Sequence, residues 1–256
     1  MPGSNNTYLA QASEFISEYI GTLMGCGVHT SRVVRNTNRI AKALDVEVHL
    51  SVFHRTVILA VRKDGEAMHS EIVEIPNLPI NFRFNSELSA LSWEAYDHHL
   101  PLHVVKEKFD RIVSTPRFSH NFMLFMAGAA NASFCRLFGG DWLSTLIVFI
   151  ATLVGFTIKA LMHKHMSNLH FTVIVTAFVS SIIAGVSVLF DTTSDIAITT
   201  SVLFLIPGVP LINGVIDVME GYILTGFARL AKAFIIILCI AVGLAMTLWI
   251  VKNQLI

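Results

Sequence analysis

The polar side chains most able to do chemistry stand inside an apolar stretch late in the chain. Two prolines and a glycine are followed by an amide and a carboxylate: Pro207, Gly208, Pro210, Asn213 and Asp217. A proline has no N–H group and clashes with the carbonyl four residues before it, so a helix is expected to bend or break here. In hydrocarbon, freed backbone groups are tolerated only where they are buried in protein or line a wet cavity.

This break predicts a binding site for a transported solute, because transporters often bind their solutes beside discontinuous helices. Asn213 and Asp217 share one helical face, and Glu220 follows three residues later. The helix that restarts after Pro210 would aim its free N–H groups at a substrate carboxylate. The alternative interpretation is a kinked structural helix in which Asn213 bonds to a neighbour.

Asp217 itself has two interpretations. It follows Pro207 by about ten residues, or about 15 Å along a helix, which places it near the cytosolic edge of the span. It is either an ordinary carboxylate in solvent or a group drawn into a cavity, where it exchanges a proton during transport. The shared face with Asn213 favours the second interpretation.

Composition indicates an integral membrane protein with a soluble part. The 256 residues are 54% hydrophobic and only 14% charged, with a mean hydropathy of +0.64. A formal net charge of zero and a pI of about 7.2 give no reason to expect nucleic acid as a partner. Three separated cysteines without CxxC spacing argue against a disulfide framework or a zinc site. We expect no metal, no cofactor and no catalytic residues.

Hydrophobicity divides the chain near Pro116 into domains 1–117 and 118–256. The pattern of the first predicts a soluble α+β domain, with two helices, three antiparallel strands and two more helices. A tight turn at Lys63-Asp64-Gly65 is expected to join the second and third strands. The first residues show no signal peptide, so the N-terminus and this domain are expected in the cytosol.

The second domain has five apolar runs, each near the roughly 20 residues that cross a bilayer. They cover residues 118–137, 141–162, 169–190, 196–217 and 228–251. The first run holds Asn131 among small residues that permit close helix contact. The third carries Thr172, Thr176 and Ser180 at four-residue intervals, a stripe that either lines a path or packs against another helix. The predicted fold is an α-helical integral membrane protein of about five transmembrane helices with an N-terminal cytosolic α+β domain.

Basic residues predict the orientation of the spans. They concentrate at one end of each span, at Arg111, Arg117, Lys159, Lys164, Arg229 and Lys232. We therefore expect the N-terminus in the cytosol and the C-terminus in the periplasm or outside the cell. An odd number of spans beside a large cytosolic domain suggests that another half is missing.

Two sets of residues carry most of a resemblance to a known family, and the turn Lys63-Asp64-Gly65 adds to them. The strongest is Pro207-Gly208-x-Pro210-x-x-Asn213-x-x-x-Asp217-x-x-x-Gly221, followed by Gly226-x-Ala228-Arg229; the second is Gly27-Val-His29-Thr30-Ser31-Arg32-Val33. From about Phe15 to Trp249 the chain resembles the N-terminal half of the threonine/serine exporter (ThrE-type) family, including its split two-subunit relatives. It departs from the family at His29, where an acidic residue is common.

The resemblance implies export of a small carboxylate across the bacterial inner membrane. Hydroxy amino acids are the cargo of one branch and succinate-like dicarboxylates that of the split branch. It further implies a separately encoded multi-span membrane subunit that supplies the other half, within the lipid bilayer. A membrane enzyme would need a nucleophile–base pair or metal ligands at membrane depth, and the sequence offers neither. A membrane-anchored signalling or scaffold protein, with a ligand-sensing cytosolic domain, is the alternative.

Overall fold

The computed structural model describes residues 2–63, 68–116, 118–165 and 168–254. Contacts divide the chain into two compact units, Met1–Pro116 with Val209–Ala231 and Arg117–Gly208 with Lys232–Ile256. The first unit thus contains a late segment of the chain in addition to the N-terminal residues. The separation of functional domains at residues 117 and 118 stays a prediction.

The first unit is α+β, as the sequence predicted. Its elements are α1 (Pro2–Gly25), α2 (Thr30–Ala43), β1 (Glu47–Val52), β2 (Thr56–Arg62), β3 (His69–Glu74), α3 (Phe82–His98) and α4 (Leu102–Val113). The strands form an antiparallel sheet in the order β1-β2-β3, which confirms the meander. Asp64 and Gly65 of the predicted turn lie outside the described residues.

The core of the first unit forms on the apolar face of α1. Phe15, Tyr19 and Leu23 recur every four residues and are fully buried. The Tyr19 hydroxyl donates to the carbonyl of Leu88 at 2.8 Å, so its one polar atom is satisfied. Alternate residues of β2 face the same core, while Ile58 between them is 43% exposed.

A late helical hairpin completes the first unit. Helix α9 (Gly208–Met219) is followed by α10 (Ile223–Gln254), and Gly221 joins them with a φ of +90° that favours glycine. A Cβ atom on Gly226 would lie 2.7 Å from the carbonyl oxygen of Gly214. The two helices therefore touch backbone to backbone, and the hairpin requires glycine at this crossing.

The second unit is helical. It contains α5 (His120–Leu137), α6 (Trp142–His165), α7 (Leu169–Gly185), α8 (Ser194–Thr200) and the later part of α10. Three described helical segments are long and apolar enough to cross a membrane, namely Trp142–His165, Leu169–Leu189 and Ile223–Lys252. A fourth span results if the bent pair Ser194–Leu205 and Gly208–Met219 is one span.

The span count therefore differs from the sequence expectation of about five. The run 118–137 forms the helix α5, but His120, Asn131 and Arg136 lower its hydropathy, and it is not among the candidate spans. The run 196–217 is not one helix: α8 is followed by a short 3-10 helix, Leu203–Leu205, and α9 begins only at Gly208. This interruption at Pro207 confirms the predicted break.

Candidate functional site

The polar face of α9 lies against the start of α2. Asn213 donates from Nδ2 to the carbonyl oxygen of Gly27 at 2.6 Å. One turn later, Asp217 accepts two hydrogen bonds from Thr30, one from the backbone N–H to Oδ1 at 2.7 Å and one from the hydroxyl to Oδ2 at 3.0 Å. The predicted shared face of Asn213 and Asp217 is confirmed. It contacts the backbone at Gly27 and the N-terminus of α2 at Thr30.

Asp217 is completely buried and has a cationic partner. Arg229 on α10 places Nε 3.4 Å from Asp217 Oδ2, and its side chain is only 12% exposed. The same guanidinium donates from Nη2 to the carbonyl of Val28 at 3.1 Å. A buried carboxylate is tolerated when it is both ion-paired and hydrogen-bonded, and the N-terminus of α2 adds favourable dipole charge. Asp217 is thus neither in solvent nor in an open cavity.

The next residue of α2, Ser31, binds a second carboxylate. Glu220 accepts a hydrogen bond from the hydroxyl of Ser31, and its carboxylate lies 3.5 Å from both His29 Nδ1 and Arg35 Nη1. The hydrogen bond from Ser31, with smaller contributions from His29 and Arg35, lowers the pKa of Glu220. Burial of the imidazole lowers the pKa of His29, although Glu220 acts in the opposite direction. Neighbouring residues of α2 therefore hold one carboxylate each.

These donors form a carboxylate cradle, which we define as the Thr30 N–H and hydroxyl, the Ser31 hydroxyl, and the Arg35 and Arg229 guanidinium groups. Each is a group that binds carboxylates through charge or charge-assisted hydrogen bonds. In this structure the cradle is filled by the chain's own Asp217 and Glu220. Chemically, the cradle can hold two carboxylates side by side.

The prolines lie before the cradle along the chain. Pro207 separates the short 3-10 helix from α9, and Gly208 begins α9 in open space, where an added Cβ atom would meet nothing within 4 Å. Pro210 stands in the first turn of α9, where a missing N–H leaves no helical hydrogen bond unmade. These three residues shape the entry to α9, whereas Asn213 and Asp217 make its polar contacts and Glu220 adds one directly after its last residue.

Asn131 and Thr176 belong to the second unit and form no hydrogen bond with each other. Asn131 is 2% exposed and donates from Nδ2 to Thr152 Oγ1 at 2.7 Å and to the carbonyl of Ser201 at 3.3 Å. It thereby ties α5 to α6 and to the end of α8. The Thr176 hydroxyl is fully buried and, within the described part of the chain, has no hydrogen-bond partner.

The threonine stripe on α7 lies in tight helix packing near Ser180. A Cβ atom on Gly155 of α6 would overlap the Ser180 hydroxyl, so the two helices meet closely at this point. Other hydroxyls bond back to the carbonyl four residues earlier, as Thr172 does to Asn168 and Ser181 does to Ala177. Packing is therefore one clear role of the stripe; a role in a path stays a prediction.

Sequence reasoning did not assign site roles to Thr30, Ser31, Arg35 or Arg229. A signal was present for three of them, since Thr30, Ser31 and Arg229 stand in the two motifs that carry the family resemblance. Those two motifs contact each other directly, because Thr30 donates to Asp217 across 187 residues of sequence. In the described residues, no group of three or more His, Cys, Asp or Glu side chains is arranged to hold a metal.

Comparison with known proteins gives one family and several relatives. The ThrE family model, described as "Putative threonine/serine exporter", matches residues 14–251. A protein of Klebsiella aerogenes named "Probable succinate transporter subunit YjjP" is 31% identical over 233 residues, or 89% of this chain and 90% of the relative. The protein of the same name from Escherichia coli K12 is 30% identical over 233 residues, which are again 89% of this chain and 90% of the relative.

A more distant relative covers part of the chain. The "Probable threonine/serine exporter" of Mycobacterium tuberculosis is 27% identical over 154 residues, which are 57% of this chain and 28% of that protein. No solved structure matches the chain.

Proposed function

The chain belongs to the ThrE family of threonine/serine exporters, and from this premise we propose that it is a subunit of a secondary exporter of small carboxylate metabolites. The family and the relatives are transporters and not enzymes, which confirms the sequence expectation. The proposed cargo is a succinate-like dicarboxylate or threonine and serine, carried outward across the bacterial inner membrane. The sequence has no GxxxxGK[ST] motif, so the energy would come from an ion gradient or the substrate gradient.

The observation that carries this proposal is the carboxylate cradle beside the broken helix. Its donors already bind two carboxylates, Asp217 through Thr30 and Glu220 through Ser31. A substrate carboxylate presents the same charge and the same acceptor oxygens as these side chains. The proposed mechanism is an exchange, in which the substrate takes the donors and releases the polar face of α9.

Exchange at the cradle favours a dicarboxylate over a hydroxy amino acid. One molecule with two carboxylates can replace Asp217 and Glu220 together, whereas threonine has one carboxylate and can replace only one of them. The relatives named as succinate transporter subunits agree with this preference.

The proposal includes a second membrane subunit and a defined orientation. Both succinate-transporter relatives are named as subunits, which supports a partner protein for this chain as well. The first unit, with the cradle, is proposed to lie on the cytosolic side, where an exporter receives its substrate. The basic residues that flank the apolar runs support this side.

Flux measurements test the proposal. Proteoliposomes containing this chain and its second subunit are loaded with radiolabelled succinate or threonine, and efflux is followed with and without a proton or sodium gradient. We expect efflux of succinate to exceed that of threonine and to require both subunits. Absence of carrier-dependent efflux for both compounds in the two-subunit vesicles would refute the function.

A pair of threonine variants tests the cradle itself. Thr30→Val removes the hydroxyl that binds Asp217 but keeps the shape and the backbone N–H. In the proposed exchange this hydroxyl holds Asp217 before the substrate binds and the substrate carboxylate afterwards, so its removal weakens both states. Because a hydrogen bond to a charged group is worth about 1.5–3 kcal/mol, we expect succinate efflux to change by up to about tenfold. The matched control is Thr157→Val, because the Thr157 hydroxyl only bonds back to Leu153 within α6. Equal efflux from the two variants contradicts the mechanism.

A further inference from the structure

An open groove lies between α2 and α3, on the surface of the first unit. Its volume is about 360 Å³, and it is lined by Arg35, Asn38, Arg39, Lys42, Trp93 and Tyr96. On α2 the three cations are spaced at i, i+4 and i+7, which places them along one face. On α3 the two aromatic residues are three apart and therefore also neighbours. We call these six residues the cationic groove.

Two of the three cations of the groove, Arg39 and Lys42, lie over the rings opposite them. The guanidinium carbon of Arg39 lies 3.7 Å from the centre of the Trp93 ring, and its Nη1 donates to Asn36 Oδ1 at 2.8 Å. The ammonium nitrogen of Lys42 lies 5.9 Å from the centre of the Tyr96 ring. Such cation–π contacts orient a charge without neutralising it. These two contacts place the charges of Arg39 and Lys42 along the aromatic side of the groove.

Positive charge in the groove is largely uncompensated. None of its six lining residues is acidic. Among the described residues, no carboxylate lies within ion-pairing distance of Arg39 or Lys42, and Arg35 has Glu220 at 3.5 Å. Arg39 and Lys42 thus lie on one face without a matching acid, and a bound polyanion would relieve the repulsion between these cations and Arg35.

We infer that the cationic groove binds a nucleotide, with the phosphates on Arg35, Arg39 and Lys42 and the base against the Tyr96 or Trp93 ring. Guanidinium and ammonium groups are the usual ligands of phosphate oxygens, and an aromatic ring provides a stacking surface for a base. The groove, of about 360 Å³, is open to solvent, so a bound nucleotide would remain partly exposed. Asn38 adds an amide that can bond to a base edge or a ribose.

Binding here would be regulatory. The sequence has no GxxxxGK[ST] motif, so we expect the nucleotide to bind without being hydrolysed. The groove is on the same helix as the carboxylate cradle, since α2 carries both Thr30 and Arg39. Arg35 belongs to both the cradle and the groove, so a nucleotide here would compete with Glu220 for this guanidinium. The binding measurement itself requires no transported substrate.

Direct binding to the purified full chain in detergent tests the inference. Isothermal titration with ATP should give a saturable isotherm that weakens as salt rises, because the interaction depends on exposed charges. Pyrophosphate should bind at least fivefold more weakly than ATP because it has no base, and adenosine should not bind because it has no charge. Equal affinity for pyrophosphate and ATP overturns the role of the rings. Stronger binding to phosphatidylglycerol vesicles, blocked by none of these compounds, identifies a lipid surface instead and also overturns the inference.

Two variants and a control locate the binding within the groove. Lys42→Gln removes an exposed cation, and Trp93→Leu removes a half-exposed ring, so neither change leaves a large hole in the core. We expect each to weaken ATP binding about fivefold or more, in line with stacking energies and charge contacts of this kind. Lys106→Gln on α4 is the matched control, with the same change of charge outside the groove. An equal effect of Lys42→Gln and Lys106→Gln would show only nonspecific attraction and would overturn the inference.

Discussion

Removing the cation beside the buried carboxylate is the most direct test of the hairpin formed by α9 and α10. In the variant Arg229→Gln, Asp217 keeps its two hydrogen bonds from Thr30 but loses the positive charge 3.4 Å away. Asp217 is fully buried, so bulk solvent does little to replace the lost charge. The carboxylate is then buried without a counter-ion, and α9 is expected to detach from the start of α2.

The size of the effect follows from the geometry. Two unit charges at the observed 3.4 Å attract by about 5 kcal/mol at an effective dielectric constant of 20. Desolvation offsets part of this attraction, but removal of one partner from a buried pair still costs about 3–5 kcal/mol. For a domain of this size, that loss corresponds to a fall of roughly 10 °C in the midpoint of unfolding.

The assay is thermal unfolding of the purified chain in detergent, followed by circular dichroism and by tryptophan fluorescence. Asp217→Asn should also destabilise the protein, because it leaves Arg229 buried without its acid. The double variant Asp217→Asn with Arg229→Gln should lose less than the sum of the single variants. Lys232→Gln, three residues later on α10, serves as the control for loss of a charge. Single variants within about 1 kcal/mol of the natural protein, or strict additivity, would refute the reasoning.

Three further predictions concern packing, pH and topology. Gly226→Ala should destabilise the hairpin by about 1–3 kcal/mol, because its Cβ would meet the Gly214 carbonyl, whereas Gly208→Ala should be harmless in the same unfolding assay. The lowered pKa values of His29 and Glu220 mean that the folded state loses stability on acidification, for His29 as the pH falls below its ordinary pKa of 6.5 and for Glu220 as the pH falls below 4.5. The thermal unfolding midpoint should therefore be lower at pH 4 than at pH 7 and should fall further below pH 4, and the fall between pH 7 and pH 4 should be smaller in His29→Gln. A reporter fused to the C-terminus should be active outside the cytosol, and activity only inside would exclude the proposed orientation.

Local sequence patterns predicted much of the architecture. The apolar–polar alternation of residues 46–52 and the apolar repeat of α1 each depend on neighbouring residues, and both elements, β1 and α1, are present in the structure. The break at Pro207 is equally local, because a proline ring prevents a helix from continuing whatever surrounds it. The common face of Asn213 and Asp217 follows from the helical repeat alone.

The number of spans was less predictable from hydropathy. The apolar run 196–217 is long and apolar enough for a membrane span, and its hydropathy is the same whether it forms one spanning helix or two short helices. In the structure α9 is mostly part of the first unit, where it packs on α10 and binds α2. Hydropathy measures how apolar a segment is. It does not show whether lipid or another part of the protein covers that segment.

The sequence by itself determined which residues share a helical face, where the helix breaks and that the chain enters a membrane, since each depends on residues close together along the chain. Only the tertiary structure decided what the polar face of α9 binds. Thr30 donates to Asp217 across 187 residues, and Arg229 completes the pair from another helix. A carboxylate in a sequence is the same whether it faces water, a cavity or a guanidinium, because its environment comes from distant segments that folding brings together.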